Sequence, residues 1–147
     1  MRAVVTRVLE AGVTIDGTEI SRIGKGLLVL LGVHKDDEEK EALWIADRIT
    51  GIRIFEDENG KMNISPKDAG AEILIVSQFT LFGDIRSRRP GFTESARPEK
   101  AIPLYERVIG ECRNKGFSVQ TGEFGADMKV FSVNDGPVTI LMDSDNR

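Results

Sequence analysis

The stretch Ile73–Val76 constrains the fold of this chain more than any other. Its four side chains are all apolar and mostly β-branched. A short, continuous apolar run of this kind predicts a strand that is buried on both faces. We expect the strand to cover residues 72 to 81, with Gln78 and Thr80 on one face and Ser77 on the other, because side chains alternate along a strand.

Three polar side chains follow the apolar run, namely Ser77, Gln78 and Thr80. A buried strand does not gain two hydroxyls and an amide without cost, because each group needs a hydrogen-bond partner. This polar end therefore predicts either a functional site or ordinary hydrogen bonds to neighbouring loops. Residue type alone leaves both interpretations open.

The composition is that of one globular domain over residues 1–147. The chain is 40% hydrophobic and 30% charged, which suits a single sizeable core. The first residues enter a strand-like pattern at once, so we expect no signal peptide, and no apolar run approaches the ~20 residues of a membrane helix. A single cysteine excludes an internal disulfide and favours the cytoplasm. The net charge of -4 argues against broad binding to nucleic acid, DNA included.

Periodicity predicts strands before, between and after two helices. Asp16-Gly17 predicts a tight hairpin turn, Asp36 and Asp37 are candidate caps of the first helix, and Pro103 either kinks the second helix or marks its first turn. We interpret the chain as one α+β domain with two main helices and a mixed or antiparallel sheet curled into a barrel-like core. The strands are expected at 2–9, 13–15, 18–20, 26–33, 52–55, 61–64, 72–81, 117–121, 128–133 and 138–142, and the helices at 37–50 and 98–115.

A long irregular loop covers residues 82 to 97 and contains Arg86, Arg88 and Arg89. Loops of this length in compact domains are often functional. The three arginines either contact phosphate groups of a nucleic acid or pair with acidic side chains on the surface.

Several kinds of site are missing from the sequence. It has no Gly-rich phosphate loop and no dinucleotide-binding fingerprint. His34 is the only histidine and lies in a predicted surface turn, which argues against a Ser-His-Asp triad. Cys112 falls on the apolar stripe of the second helix, so we interpret it as a core residue. Ligands for zinc are lacking, and we expect neither a metal nor a cofactor.

Two motifs remain: Ser77–Leu81, with the sequence Ser-Gln-Phe-Thr-Leu, and Asn134–Thr139, with the sequence Asn-Asp-Gly-Pro-Val-Thr. Together and in this order they resemble the two signature motifs of the D-aminoacyl-tRNA deacylases, formerly called D-tyrosyl-tRNA deacylases. The chain departs from the family pattern at Gly83 and Ser87, which bears on contacts with the substrate rather than on the chemistry. The resemblance runs nearly from end to end, and it also covers residues 1–5, 26–33, 60–63, 88–90 and 124–128.

The resemblance implies a homodimeric hydrolase with its sites at the dimer interface. Such an enzyme cleaves the ester between a D-amino acid and the terminal adenosine of tRNA. The Gly-Pro segment would enter the pocket as a cis peptide from the partner chain. The site residues that the resemblance implies are Ser77, Gln78, Phe79 and Thr80 for catalysis, Gly136 and Pro137 for chiral selection, and Arg7, Val138 and Thr139 in support.

The two configurations at the α-carbon, D and L, suggest how such a site would select its substrate. A D- and an L-aminoacyl group differ only in where the hydrogen and the side chain lie, so a rigid wall in the space of the L side chain would exclude L substrates. Backbone carbonyls of Gly136-Pro137 would make such a wall, since a Gly-Pro peptide adopts the cis form at small cost. The same wall would admit glycine, so we expect glycyl-tRNA to be hydrolysed as well.

Backbone amides around Phe79-Thr80 are our preferred oxyanion donors, with the ribose 2′-hydroxyl helping to position or activate water. Thr80 as a nucleophile is the alternative, although the sequence provides no evident histidine or lysine to activate it. Two other functions stay open. One is a non-catalytic RNA-binding module, which would need a broader basic face, and the other is a Thr-nucleophile esterase acting on small esters.

Overall fold

The sheet is organised around two long neighbouring strands. In a computed structural model that describes residues 1–147, β1 (Arg2–Ile15) pairs antiparallel with β8 (Lys129–Asp143) along most of its length. On its other side β1 pairs antiparallel with β2 (Thr18–Ile23) and β3 (Gly26–Gly32). Beyond β3, β6 (Glu72–Ser77) and β7 (Val119–Thr121) extend the sheet in parallel.

Two helices and a small hairpin complete the fold. The helices α1 (Glu39–Gly51) and α2 (Pro98–Asn114) pack against each other, and β4 (Phe55–Glu56) pairs with β5 (Met62–Ile64) as a separate two-stranded sheet. Because β2 also packs against β6 and β7, the large sheet curls back on itself. The predicted α+β fold, with two main helices and a mixed, barrel-like sheet, is therefore confirmed. Neither helix combines the length and apolar character needed to cross a membrane.

The strand β6 is buried on both faces, as its apolar run predicts. Ile73 and Ile75 lie in the larger core cluster, which also contains the apolar stripes of both helices. Leu74 and Val76 point the other way, into a smaller cluster between β6 and the β1–β2 hairpin. Burying an aliphatic side chain of this size contributes about 1.5–3 kcal/mol, so β6 is a central element of the stability of the fold.

The N-terminus of α1 differs from the prediction. Glu38 is the N-cap residue and forms a capping box with Glu41, whose carboxylate accepts from the Glu38 amide at 2.7 Å. The predicted caps, Asp36 and Asp37, do not serve this role. Asp37 is buried and instead accepts a hydrogen bond from the backbone nitrogen of Met1 at 2.8 Å. Because its carboxylate is engaged there, the helix begins two residues later than expected.

Strand boundaries differ where pairing between strands overrides the local pattern. The predicted strands 2–9 and 13–15 are one continuous strand, because β8 runs alongside both. The predicted strands 128–133 and 138–142 likewise join into β8, and the strand expected at 52–55 is reduced to Phe55–Glu56. Pro98 occupies the first turn of α2 and Pro103 lies within it, and Gly116, with φ +92, follows the helix end.

Candidate active site

The chain leaves the sheet at the end of β6. Gln78 still donates its amide to the Leu31 carbonyl of β3 at 2.8 Å, and Phe79–Phe82 then form a 3₁₀ turn, here called the site turn. The prediction of a strand up to residue 81 is wrong beyond Ser77, and the alternation expected of Gln78 and Thr80 does not apply. The reason is that β3 ends beside Ser77, so no strand is available to pair with the residues that follow.

The site turn packs closely on the end of β3, and Gly32 makes this possible. A Cβ at Gly32 would lie 2.9 Å from the Gln78 carbonyl oxygen and 3.0 Å from the Cβ of Leu81. Contacts this short with the backbone are not relieved by rotating a side chain. Only glycine therefore fits here without moving the turn.

Each carbonyl from Gln78 to Leu81 accepts a hydrogen bond. The amides of Phe79 and Thr80, by contrast, donate none of the bonds that hold the turn. Two successive N–H groups are thus fixed in place and remain free to donate a hydrogen bond, which is an arrangement suited to stabilising an oxyanion. The donors to the four carbonyls are, in chain order, the Leu81 amide at 3.3 Å, Ser95 Oγ at 2.8 Å, the Gly83 amide at 2.9 Å and Arg2 Nη1 at 3.1 Å.

The side chains of the first motif contact one another around this turn. Gln78 Nε2 donates a short hydrogen bond to Thr80 Oγ1. Ser77 is half-buried, whereas the ring of Phe79 is 53% exposed and packs edge-on against Phe92, with the centroids 5.1 Å apart. The polar groups of the motif are therefore at the surface, where a substrate can reach them.

A cavity of about 310 Å³ opens beside the site turn. Its walls include Ser77, Gln78 and Phe79 on one side and the segment Phe124–Met128 on the other, and Thr80 is not among its lining residues. The volume lies in the range of small-molecule sites. A larger cavity of about 480 Å³ lies between α1 and the end of β8, but none of the predicted site residues lines it.

The second motif lies in an irregular segment of β8. The pairing of β1 with β8 is interrupted there, so that residues 135 to 138 all lie opposite Arg7. The Gly136–Pro137 peptide bond is cis, Gly136 has φ +120, and both residues are exposed. The segment thus stands out from an otherwise regular strand.

Arg7 lies beneath this segment and is only 4% exposed. Its Nε donates to the Asp135 carbonyl at 3.2 Å, its Nη1 donates to the Ile54 carbonyl at 2.7 Å, and its Nη2 lies 3.7 Å from the Glu56 carboxylate. A buried guanidinium needs such partners, because an unpaired charge in the interior is strongly destabilising. Arg7 therefore ties the segment before Gly136 to the chain around β4.

Val138 and Thr139 follow the Gly-Pro segment. Val138 is half-buried and packs against the larger core cluster. Thr139 is exposed, and its Oγ1 lies 3.4 Å from Thr6 Oγ1 across the strand pair. Together they return the chain to regular pairing with β1.

Within one chain the two motifs are far apart. The strands β3 and β1 separate β6 from β8, and Arg7 is in register with Leu27 and Ile73, four residues before Ser77. Ser77 is displaced from the Gly-Pro segment by three strand spacings of about 4.8 Å across the sheet and by four residues of about 3.3 Å along the strands. The two displacements are perpendicular, so they combine to a distance of roughly 20 Å. A single copy of the chain does not bring this segment to the cavity.

The three arginines of the long loop differ in their surroundings. Their segment is closed by Asp84 and Gly91, which exchange backbone hydrogen bonds of 2.8 and 2.9 Å. Arg86 binds Asp84 at 2.9 Å, and this guanidinium lowers the pKa of the Asp84 carboxyl to about 2. Arg88 and Arg89 are exposed and form no ion pair. Two of the three cations are thus free to meet a ligand.

Ser95 and Phe92 contact the site turn, yet neither carries a sequence signal beyond the length of the loop that contains them. Cys112 is buried in the core, as predicted, and burial raises the pKa of its thiol to about 12. His34 is half-buried and packs edge-on against Phe82 of the site turn, with the centroids 5.1 Å apart. Its Nε2 lies 3.0 Å from the Glu94 carboxylate, and it bonds to none of the polar side chains of the motif. No three His, Cys, Asp or Glu side chains are grouped closely enough to hold a metal ion.

Comparisons with known proteins agree with the two motifs. A family model described as D-Tyr-tRNA(Tyr) deacylase matches residues 4–143. A D-aminoacyl-tRNA deacylase of Thermotoga petrophila is 57% identical over 145 residues, which cover 98% of this chain and 97% of the relative. The protein of the same name from Clostridioides difficile is 56% identical over the same shares of both chains.

Solved structures show the same architecture. One described as a c-Myc DNA unwinding element binding protein has a TM-score of 0.93 and 41% identity, and the match covers 98% of this chain and 99% of the other. A probable eukaryotic D-amino acid tRNA deacylase has a TM-score of 0.83 at 16% identity, over 96% of this chain and 97% of the other, which supports the fold alone. On the evidence of the family model and the close relatives, the chain belongs to the D-Tyr-tRNA(Tyr) deacylase family.

Proposed function

We propose that this protein hydrolyses the ester bond of D-aminoacyl-tRNA and releases the free D-amino acid and tRNA. Membership of the deacylase family supports the reaction class. The observation that carries the proposal is the site turn, where Phe79 and Thr80 have successive unengaged amides and Phe79 lines a cavity together with Ser77 and Gln78.

The two amides act on the oxygen of the scissile carbonyl. When water attacks the carbonyl carbon, negative charge develops on this oxygen, and the N–H groups of Phe79 and Thr80 donate hydrogen bonds to it. Because the neighbouring carbonyls are already bound, the donors need no reorganisation during the reaction. One such donor contributes about 10²–10³-fold to kcat in enzymes that depend on it.

Water is the nucleophile in this proposal, rather than Thr80. The Thr80 hydroxyl accepts a hydrogen bond from Gln78, and no histidine or lysine side chain bonds to either residue. A hydroxyl without an adjacent base is a weak nucleophile. The 2′-hydroxyl of the terminal adenosine is adjacent to the ester and orients the attacking water.

A second copy of the chain supplies Gly136-Pro137. The roughly 20 Å between the two motifs within one chain, together with the exposure of the Gly-Pro segment, supports a homodimer with sites shared between copies. In this arrangement the backbone carbonyls of the segment fill the space of an L side chain. A D-aminoacyl group fits, and so does a glycyl group, which has no side chain to clash.

Arg88 and Arg89 contact the phosphates of the tRNA acceptor end. They lie in the segment that directly follows the site turn, and no carboxylate neutralises them. Arg86 contributes less, because Asp84 occupies its guanidinium. The overall charge of -4 confines this attraction to a local patch.

Incubation with matched substrates tests the proposed function. D-tyrosyl-tRNA, L-tyrosyl-tRNA and glycyl-tRNA are supplied separately, and release of the amino acid is measured against spontaneous hydrolysis. We expect rapid release from the D-tyrosyl and glycyl substrates and background release from the L substrate. Failure to hydrolyse D-tyrosyl-tRNA, or equal hydrolysis of both hands, contradicts the proposal.

The same reactions distinguish the competing functions. Mass spectrometry after acid quenching should show no acyl group on Thr80, whereas an adduct together with steady turnover of a small ester indicates a Thr-nucleophile esterase. Tight binding of duplex DNA or tRNA without any turnover would instead indicate a nucleic-acid-binding module, the function that the name of one structural relative suggests.

A further inference from the structure

Resting on the proposed function, we propose that Ser95 is a positioning residue for the reaction. Its hydroxyl holds the peptide between Phe79 and Thr80, so that the Thr80 amide is fixed toward the oxyanion. Ser95 lies 16 residues after Phe79 and outside both motifs, and its Oγ donates to the Phe79 carbonyl at 2.8 Å.

The geometry of a peptide unit connects the two groups. A trans peptide is planar, and its C=O and N–H point in opposite directions. Fixing the Phe79 carbonyl on Ser95 therefore also fixes the direction of the Thr80 N–H, which points away from Ser95. The adjoining peptides are held by backbone bonds within the turn, from the Leu81 amide to Gln78 and from the Gly83 amide to Thr80. Ser95 is the one side chain from outside the turn that acts on the peptide between them.

Ser95 is itself held by the residues that follow β3. The amide of the next residue, Ala96, donates to the Val33 carbonyl at 2.9 Å, and the Lys35 amide donates to the Glu94 carbonyl at 3.0 Å. The Glu94 carboxylate binds Lys35 Nζ at 2.9 Å. Since the Gln78 amide bonds to Leu31, β3 and the residues directly after it position both the site turn and the serine that orients its central peptide.

An edge-on aromatic contact supports the same arrangement. Phe92 lies on the segment that leads to Ser95, and its ring packs against Phe79 at an interplanar angle of 68°. The contact limits rotation of the Phe79 side chain but bonds to none of the polar atoms of the turn. The hydrogen bond from Ser95 is therefore the side-chain contact that adds to the backbone bonds of the 3₁₀ turn and holds the orientation of this peptide.

Three variants of Ser95 separate orientation from folding. Ser95→Val and Ser95→Thr have nearly the same shape, but only threonine keeps the hydroxyl, and Ser95→Ala removes it with the least disturbance. The matched control is Thr93→Ala, because Thr93 is exposed in the same segment and forms no hydrogen bond through its side chain. Steady-state kinetics with D-tyrosyl-tRNA and thermal unfolding are measured for each protein.

We expect Ser95→Val and Ser95→Ala to lower kcat by about fivefold to tenfold with KM unchanged, a part of the 10²–10³-fold effect of losing a donor outright. Ser95→Thr and Thr93→Ala should keep the wild-type kcat. A wild-type protein without D-specific turnover refutes the proposed function and this inference with it. If the wild-type protein turns over D-tyrosyl-tRNA and folded Ser95→Ala or Ser95→Val is equally fast, the proposed role of Ser95 is refuted but the proposed function is not. A rise in KM at constant kcat refutes this role as well.

Discussion

At the scale of single residues, Gly136 is the glycine of the second motif, and the structure has no room for a side chain there. Its φ of +120 is rarely adopted by other residues, and an added Cβ would lie 2.8 Å from Val138 Cγ2 and 3.0 Å from Arg7 Nη2. We expect Gly136→Ala to displace the segment and to slow hydrolysis of D-aminoacyl-tRNA by about tenfold to a hundredfold. Strain at this φ should also lower the free energy of unfolding by about 1–3 kcal/mol. Steady-state kinetics and chemical denaturation measure the two effects.

Gly70 provides a matched control for this substitution. It also has a positive φ, of +67, but nothing lies within 4 Å of an added Cβ, and it precedes the far end of β6. Gly70→Ala should therefore cost about 1 kcal/mol of stability without changing activity. If Gly136→Ala folds, keeps full activity on D substrates and still refuses L substrates, the Gly-Pro segment is not the chiral wall.

Among the elements, the loop segment closed by Asp84 and Gly91 carries the cations proposed to contact tRNA. Each phosphate contact contributes about 0.7–0.9 to the slope of log affinity against log salt. We expect the double variant Arg88→Gln and Arg89→Gln to raise KM for D-aminoacyl-tRNA and to reduce this slope by about 1.5, with kcat unchanged. Binding measured across a salt series tests the slope.

Arg86→Gln is the control for charge alone, since it removes one cation from the same segment but one that Asp84 already binds. It should change the salt slope much less than the double variant does. An unchanged slope in the double variant would show that Arg88 and Arg89 do not touch RNA. An equally large effect of Arg86→Gln would indicate that the overall positive charge of the segment attracts tRNA, rather than defined contacts between Arg88 or Arg89 and phosphates.

The elements also differ in how far local sequence determines them. The burial of Ile73–Val76 could be predicted, because a short run of four apolar side chains has to be shielded from water on both faces of its strand. The site turn could not, because it depends on Gly32 and Ser95, which are distant in sequence and meet it only after folding. The start of α1 differs from the prediction for a similar reason, since the Asp37 carboxylate accepts a hydrogen bond from the backbone nitrogen of Met1, 36 residues away in sequence.

At the scale of the whole molecule, the sequence identifies the two motifs but not the distance between them. The strand register alone shows that they lie roughly 20 Å apart in one chain. The strand β8, which carries the second motif, pairs only with β1 and leaves its other edge open. Val133 and Leu141 on this strand are 44% and 67% exposed. An open edge with apolar side chains is a surface that a second copy can cover.

If a second copy supplies the Gly-Pro segment, two impaired variants should restore each other. Gly136→Ala keeps the cavity residues but alters the Gly-Pro wall. Gln78→Ala alters a cavity residue but keeps the Gly-Pro wall. A mixed dimer then contains one site built from two intact halves and one built from two altered halves. Random mixing of equal amounts makes half of the dimers mixed, so we expect about a quarter of the wild-type activity to return.

The two variants are unfolded and refolded together, or coexpressed, and sedimentation is used to confirm a dimeric mass. Each variant alone, treated in the same way, should keep only its low residual activity. Gly136→Ala mixed with Gly136→Val should also recover nothing, because both chains are altered in the same half and no site can combine two intact halves. Recovery confined to the Gln78→Ala mixture therefore requires that each site draws one motif from each chain. If mixed dimers form without recovery, or if the wild-type protein is active as a monomer, the two motifs act within one chain, and the segment around Arg7 must move by most of the 20 Å that now separates them.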